Sequence, residues 1–270
     1  MKTLKESILN RSNHGAKGFK AQRREMIEKW LKEYNIKNYT INYDLTIDVD
    51  GDVNLVRKNL TEFPDYIQFG VVKGYFGCEY NKLISLKGSP KEVKDSFYCH
   101  NNQLTSLEGA PERVRGIFNC RDNRLISLKG ANDIIAEDYY FDYNKLTSLT
   151  GAPEEVGGDF YCSGNNLRDL KGAPKKVKGI FGCSYNNLID LKGAPKDVGR
   201  DFFCNNNQLT SLEGVPDNVK GDFNCSTNKL TSLKGAPREV DGSFDCSGNS
   251  VRFTREDVRK VCNVDGSIIY

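Results

Sequence analysis

The chain has 270 residues, 38% apolar and 28% charged, a balance that supports a packed core and excludes an intrinsically disordered chain. Its 39 basic and 36 acidic residues leave a formal charge of +3, too little to draw the whole molecule onto phosphate, so no nucleic-acid partner is expected. The first ten residues mix charges, and no apolar run reaches signal-peptide or membrane-spanning length, so the chain is expected to be soluble and cytoplasmic, with no membrane partner.

Residues 18–34 place Phe19, Met26, Ile27, Trp30, Leu31 and Tyr34 on one stripe at helical spacing, with Arg23, Arg24, Glu25, Glu28 and Lys29 over most of the rest. This predicts an amphipathic helix. A partner-binding helix would show the same stripe, but a repeat array exposes its core at its first unit, and a cap is the favoured reading. Residues 39–56 alternate apolar and polar around Asp50-Gly51, which predicts a hairpin, and Leu60 with Phe63-Pro64 resembles a degenerate first coil. Asp48, Asp50 and Asp52 look like the opening of a calcium loop. The twelfth position is Asn59 rather than Glu, however, and the Gly is displaced by one residue, so a plain turn is favoured.

From there an asparagine recurs every 21 residues, at 81, 102, 123, 144, 165, 186, 207, 228 and 249. The unit reads Phe-x-Cys-x-x-Asn-x-Leu-x-Ser-Leu-x-Gly-Ala-Pro-x-x-Val-x-Gly-x, seen cleanly over 97–117 and 223–243. One repeat is one coil. Phe97 and Cys99 alternate with Tyr98, which predicts a short strand with Phe and Cys inward. Leu104, Leu107 and Val114 continue the core, while Gly109 and Pro111 turn the chain back. A buried Asn102 amide would bond the backbone of its own and the next coil. The fourth unit departs from the pattern: Tyr139 and Phe141 replace Phe and Cys, Asn132 replaces Pro, and Ile134-Ile135-Ala136 replaces the return segment. Phe141 must displace neighbours or fill a hollow, bending the rod or shaping a pocket near Tyr140 and Tyr161; drift in a tolerant repeat is the plainer reading. After Val251 the repeat breaks, and Thr254 followed by Asp257 predicts an N-capped helix through Cys262.

The fold class is therefore an α/β-type repeat solenoid: an N-terminal cap over 1–59, an array over 60–253 and a short helical cap over 254–270. The repeat resembles the leucine-rich-repeat consensus Leu-x-Leu-x-x-Asn-x-Leu, with Phe and Cys in the first two apolar places. It is most similar to the short-repeat bacterial class, as in effectors of the YopM and IpaH type, and to repeats of large tailed phages. The resemblance covers about 60–253. It implies a curved rod with a parallel sheet on the concave face, and the function of a phage or bacterial accessory protein acting in a bacterial cytoplasm on a host or partner protein. A ligase domain like that of some effector relatives has no counterpart here, so catalysis is not implied.

The residues agree with a non-catalytic reading. Strand alternation turns Cys99 and His100 to opposite faces, and His14 lies far outside the array. Eight of the nine cysteines occupy one repeat column, a placement that suits a reducing interior, and no Cys-x-x-Cys pair, phosphate loop or nucleophile elbow occurs. Neither metal nor cofactor is expected.

The register also gives the outward positions. Between Phe and Cys stand Gly77, Tyr98, Asn119, Tyr140, Tyr161, Gly182, Phe203, Asn224 and Asp245. Asp138, Asp159 and Asp201 precede the repeat aromatic, and His100 and Asp142 follow the inward position. Lys175, Lys176, Lys178 and Lys196 fall on return segments. An acidic face with embedded rings predicts a monomer or weak oligomer that binds a protein or peptide with a basic surface through Tyr98, His100, Tyr140, Asp142, Tyr161, Phe203, Asp138, Asp159 and Asp201. Two readings stay open beside it: aromatics favour strands and acids solvate sheets without any partner, and a virion component or surface adhesin could use Tyr beside Asp to hold a glycan.

Overall fold

The structure, a computed structural model, describes the backbone of residues 4–131 and 137–270 and the side chains of 18–131 and 137–270. The departures at Asn132 and Ile134-Ile135-Ala136, and the His14 side chain, lie outside the described residues.

The 21-residue period builds a parallel β-solenoid. In each coil the residues at Phe and the next position form a two-residue strand, as at Phe97–Tyr98 and Phe118–Asn119. These strands pair in register, Phe97 with Phe118 and Tyr98 with Asn119, and make an 11-stranded sheet among the described residues. The residues around the repeat Val form a second set of strands on the return side, such as Lys176–Val177 paired with Asp197–Val198. Between the sheets run columns of fully buried side chains: Phe97, Cys99, Leu104 and Leu107 in one coil, and Phe181, Cys183, Leu188 and Leu191 four coils on. Each apolar member contributes about 1.5–3 kcal/mol of burial, and the Phe rings stack from coil to coil, at 5.6 Å between Phe97 and Phe118 and 5.9 Å between Phe160 and Phe181.

The asparagine ladder forms, with one change of direction. Asn102 Nδ2 donates to the carbonyl of Cys99 in its own coil at 3.1 Å and of Cys78 in the preceding coil at 3.0 Å. Its Oδ1 accepts from the Leu83 amide, also in the preceding coil, at 2.9 Å. The amide therefore ties each coil backward rather than forward.

In the fourth coil Phe141 fills the place of Cys without leaving the core. Its ring meets Tyr139 at 5.1 Å and Phe160 at 5.7 Å, and both Tyr139 and Phe141 are fully buried.

The ends differ in detail from the sequence reading. Helix α1 spans Leu4–Glu33 and so starts well before residue 18, running through Gly15 and Gly18, which a helix tolerates at about 1 kcal/mol each. Ile27, Trp30 and Leu31 are buried, and Trp30 meets Phe69 edge-on at 6.2 Å; Phe19 and Met26 are exposed. The predicted hairpin turns elsewhere. β1 (Tyr39–Ile41) pairs antiparallel with β2 (Ile47–Val49) through a turn in which Leu45 has φ 71°. Asp50-Gly51 is instead the corner between β2 and β3 (Val53–Asn54), and β3 pairs in parallel with Phe76–Gly77. Parallel pairing thus begins before residue 60. The aspartates there serve the backbone: Asp48 Oδ1 accepts from the Val71 amide at 2.8 Å and Asp52 Oδ1 from Tyr75 at 3.0 Å.

At the other end Thr254 and Asp257 form the reciprocal cap of α2 (Arg255–Arg259), a helix shorter than the predicted run to Cys262. The chain then re-enters both sheets: Asn263–Val264 pairs with Glu239–Val240, and Ile268–Ile269 with Phe244–Asp245. The sequence carries this signal, since Val240-Asp241-Gly242-Ser243 recurs as Val264-Asp265-Gly266-Ser267.

Candidate interaction face on the long sheet

The outer face of the 11-stranded sheet carries the outward positions that the register assigns to the concave surface. Its residues do not gather into one centre but into two groups along the array, with Phe203 apart from both.

The tightest group is in coils four and five. Adjacent in-register strands bring Tyr140 opposite Tyr161, and the rings stack at 5.3 Å with planes 10° apart. Tyr161 has Tyr140 on one side and Gly182 on the other; a Cβ at Gly182 would stand 2.6 Å from the Tyr161 ring, so this position needs glycine for the ring to lie flat. Three carboxylates surround the pair. Tyr140 Oη donates to Asp138 Oδ2 at 3.3 Å, and burial followed by the charges of Asp138 and Asp159 holds the Tyr140 phenol well above its usual range. Burial and then Asp159 push Tyr161 up to about 12. Both rings stay protonated at any physiological pH.

Asp138, Asp159 and Asp201 have an internal duty that the sequence reading does not give them. Asp138 Oδ1 accepts from the Asp159 amide at 2.8 Å, Asp159 from Ile180 at 2.7 Å and Asp201 from Asp222 at 2.8 Å. These amides lie at the corner between the two sheets and take the carboxylate of the preceding coil as acceptor. Such a carboxylate is fixed in place before any partner arrives.

Asp142 is only 8% exposed, and its Oδ1 accepts from the Ser163 amide at 2.8 Å. Burial pushes its carboxyl from 3.8 up to about 6, against the opposing effects of the Ser163 amide and Arg121. Because the folded pKa lies above the unfolded one, the folded state holds the proton more tightly, and stability falls as pH rises from about 4 through about 6. Asp142→Asn keeps the acceptor and removes the charge. It is expected to raise stability at pH 8 by up to about 3 kcal/mol, at ~1.4 kcal/mol for each tenfold difference in proton affinity between the folded and unfolded chain. The gain should be gone by about pH 4. Urea unfolding at the two pH values measures it, and an equal gain at both would show that burial of the charge is not the cause.

A second group occupies coils one and two. Tyr98 meets Tyr75 at 6.4 Å and His100 at 6.3 Å, both edge-on. His100 also meets Tyr80 at 5.3 Å, and burial, then Arg121, lowers its pKa, which keeps the imidazole neutral. Asn119 separates Tyr98 from Tyr140. Phe203 belongs to neither group: Gly182 stands between it and Tyr161.

A further column is absent from the sequence reading. The residue before each repeat Asn takes the left-handed conformation. Asn101, Asp122, Gly164, Asn206 and Gly248 suit it, whereas Tyr80, Tyr143, Tyr185 and Thr227 adopt it at φ 56°, 53°, 53° and 54°. The three tyrosines are 45%, 53% and 58% exposed. Tyr80 packs edge-on against His100 and lies under Arg57, and Tyr143 lies under Arg121, so two of these rings have partners on the sheet that offset part of the backbone strain. Tyr185→Asn is expected to stabilise the chain by about 0.5–1 kcal/mol in urea unfolding; a loss of stability would mean that the ring has a packing role.

The return side carries the opposite pattern, with Lys175 3.0 Å from Glu154 and Lys176 2.8 Å from Asp197. Its lysines pair across coils, and exposed pairs of this kind contribute little to stability. The nine cysteines are free and buried; burial holds the thiols of Cys78, Cys99, Cys162, Cys183 and Cys225 far above their usual range, where they are poor nucleophiles. Among the described residues no group of three or more His, Cys, Asp or Glu side chains is placed to hold a metal, and no helix is long and apolar enough to cross a membrane.

No protein-family model matches the chain, and no curated protein matches it. Among solved structures it is similar to YopM from Yersinia enterocolitica, at 16% identity and a TM-score of 0.41, over 81% of this chain and 55% of that one. It is also similar to a leucine-rich-repeat protein of Leptospira interrogans, at 10% identity and a TM-score of 0.26, over 79% of this chain and 95% of that one. The chain thus spans little more than half the length of the YopM structure. The protein is a parallel β-solenoid, and its 21-residue repeat resembles the leucine-rich-repeat consensus.

Proposed function

We propose that the protein is a non-catalytic interaction module that holds a basic protein or peptide segment against the outer face of its long sheet. Leucine-rich-repeat folds are generally protein-interaction modules, and a solenoid offers an extended surface suited to that use. The observation that carries the finer reading is the stacked Tyr140–Tyr161 pair set among Asp138, Asp142 and Asp159. Rigid rings give contact area at little entropic cost, and fixed carboxylates select lysine and arginine while repelling phosphate. A glycan is less well served, since sugars stack on free aromatic faces and Tyr161 is covered by Tyr140 and Gly182. The resemblance to bacterial and phage repeats supplies the context of this proposal: an accessory protein, acting as a monomer in a reducing bacterial cytoplasm, that inhibits or recruits a partner.

Selection of a random peptide display library on the immobilised chain tests this reading. Enrichment of arginine- and lysine-bearing sequences, lost with the Tyr140→Ser, Tyr161→Ser variant, is the expected result. Enrichment of acidic or wholly apolar sequences, or of the same sequences by both proteins, would overturn it.

A further inference from the structure

The column following each inward cysteine, or Phe141 in the fourth coil, carries both signs of charge. Over four successive coils it reads Glu79, His100, Arg121 and Asp142, and in-register pairing of the adjacent strands sets these positions in one straight lane. Glu79 Oε2 and His100 Nδ1 are buried without a hydrogen-bond partner in the structure, a condition that costs the folded state and is rare. The Glu79 side chain lies folded over Gly77, where a Cβ would stand 2.9 Å from Oε2. At the far end of the lane Asp142 is fixed by the Ser163 amide. Between the carboxylates stands Arg121, whose Nε donates to Asp122 at 2.9 Å. The lane therefore reads negative, neutral, positive, negative.

Three coil steps separate Glu79 from Asp142, which at about 4.8 Å per step places them roughly 14 Å apart. An extended peptide rises about 3.4 Å per residue and turns alternate side chains to the same side. Only even spacings therefore present two side chains to the lane. A spacing of four residues covers roughly 14 Å, whereas two cover roughly 7 Å and six roughly 20 Å. The residue midway between the two arrives opposite the stretch from His100 to Arg121, where the lane offers a cation no carboxylate and Asp122 is already taken by Arg121.

We infer that the preferred ligand is an extended segment with two basic side chains four residues apart and an acidic or neutral residue midway, its cations seated on Glu79 and Asp142. This rests on the reading of the face as a site for a basic segment and adds the register. The unpaired Glu79 oxygen supplies the first anchor: a guanidinium that draws the carboxylate off Gly77 gives Oε2 the donor it lacks, and a neutral His100 does not oppose it. Tyr75, Tyr98 and Tyr80 wall that end, while Tyr140 and Tyr161 wall the other.

Fluorescence anisotropy with the full chain and labelled synthetic peptides tests the register. Peptides carrying Arg-Ser-Glu-Ser-Arg, Arg-Ser-Glu-Arg and Arg-Glu-Arg have the same charge and differ in spacing; Arg-Ser-Arg-Ser-Arg keeps the spacing and places a cation midway. The first is expected to bind at least tenfold tighter than each of the others, although the last carries more positive charge. Glu79→Gln, checked for folding by circular dichroism, is expected to erase that advantage, so that the three spacings bind alike. Equal affinity across the three spacings, or tighter binding of the most basic peptide, would overturn the register and leave the basic-partner reading standing. Failure of every arginine peptide to bind better than its serine-substituted counterpart would overturn both.

Discussion

Asn165→Ala is expected to cost about 3–5 kcal/mol, summing one buried donor and several acceptors left unpaired at about 1–3 kcal/mol for the worst of them, and so to unfold part of the array at modest urea. Asn165 Nδ2 donates to the carbonyls of Phe141 and Cys162 at 3.0 and 3.1 Å. Its Oδ1 accepts from the Leu146 amide at 2.9 Å. Alanine leaves that amide buried with no acceptor. Because each coil touches only its neighbours, the loss severs the array at its middle. Asn249, at the margin of the array and only partly buried, makes the comparison: Asn249→Ala is expected to cost well under half as much. Equal costs at the two sites would mean that the ladder's contribution does not depend on burial.

Gly172→Ala is expected to be comparably severe, at about 3 kcal/mol or more, for a reason of geometry rather than hydrogen bonding. Gly172 adopts φ 85°, and a Cβ there would stand 2.5 Å from the Thr150 nitrogen and 2.6 Å from its Cα. Both are backbone atoms of the preceding coil, which cannot rotate away. At Gly248, also at positive φ, the nearest atom is a Thr227 side-chain oxygen at 3.3 Å. Gly248→Ala therefore carries the backbone strain without the collision and is expected to cost about 1 kcal/mol. Chemical denaturation of the pair separates the two effects; similar costs would show that coil-to-coil contact is looser than the geometry requires.

Much of this architecture is legible in the 21-residue period. A strict period fixes which residues share a column, and alternation fixes which columns face inward, so the buried set of Phe, Cys, Leu and Val follows directly. The ends are harder because they depart from the period. α1 runs through two glycines that read as a boundary, the Asp50-Gly51 corner has the composition of a hairpin turn, and the last coil is recognisable only by the return of Val-Asp-Gly-Ser. On the face, the aromatic column is visible, but two properties are not. Asp138, Asp159 and Asp201 read as surface acids because the amides they bond are supplied by the following coil. The glycines just before Asp159 and Asp222, which leave room for the carboxylate of the coil before, are the signal. Tyr80, Tyr143 and Tyr185 escape notice because their distinction is a backbone angle; their column is otherwise filled largely by Asn, Asp and Gly, the residues that tolerate it.

The most direct test of the central claim is isothermal titration of a basic peptide, chosen by selection on the wild-type chain, into the wild type and into a Tyr98→Ser, Tyr140→Ser, Tyr161→Ser variant of matched circular dichroism. The account predicts an affinity at least tenfold weaker in the variant and weakened further by added salt in the wild type. An unchanged affinity in the variant would place the binding surface elsewhere on the solenoid and contradict it.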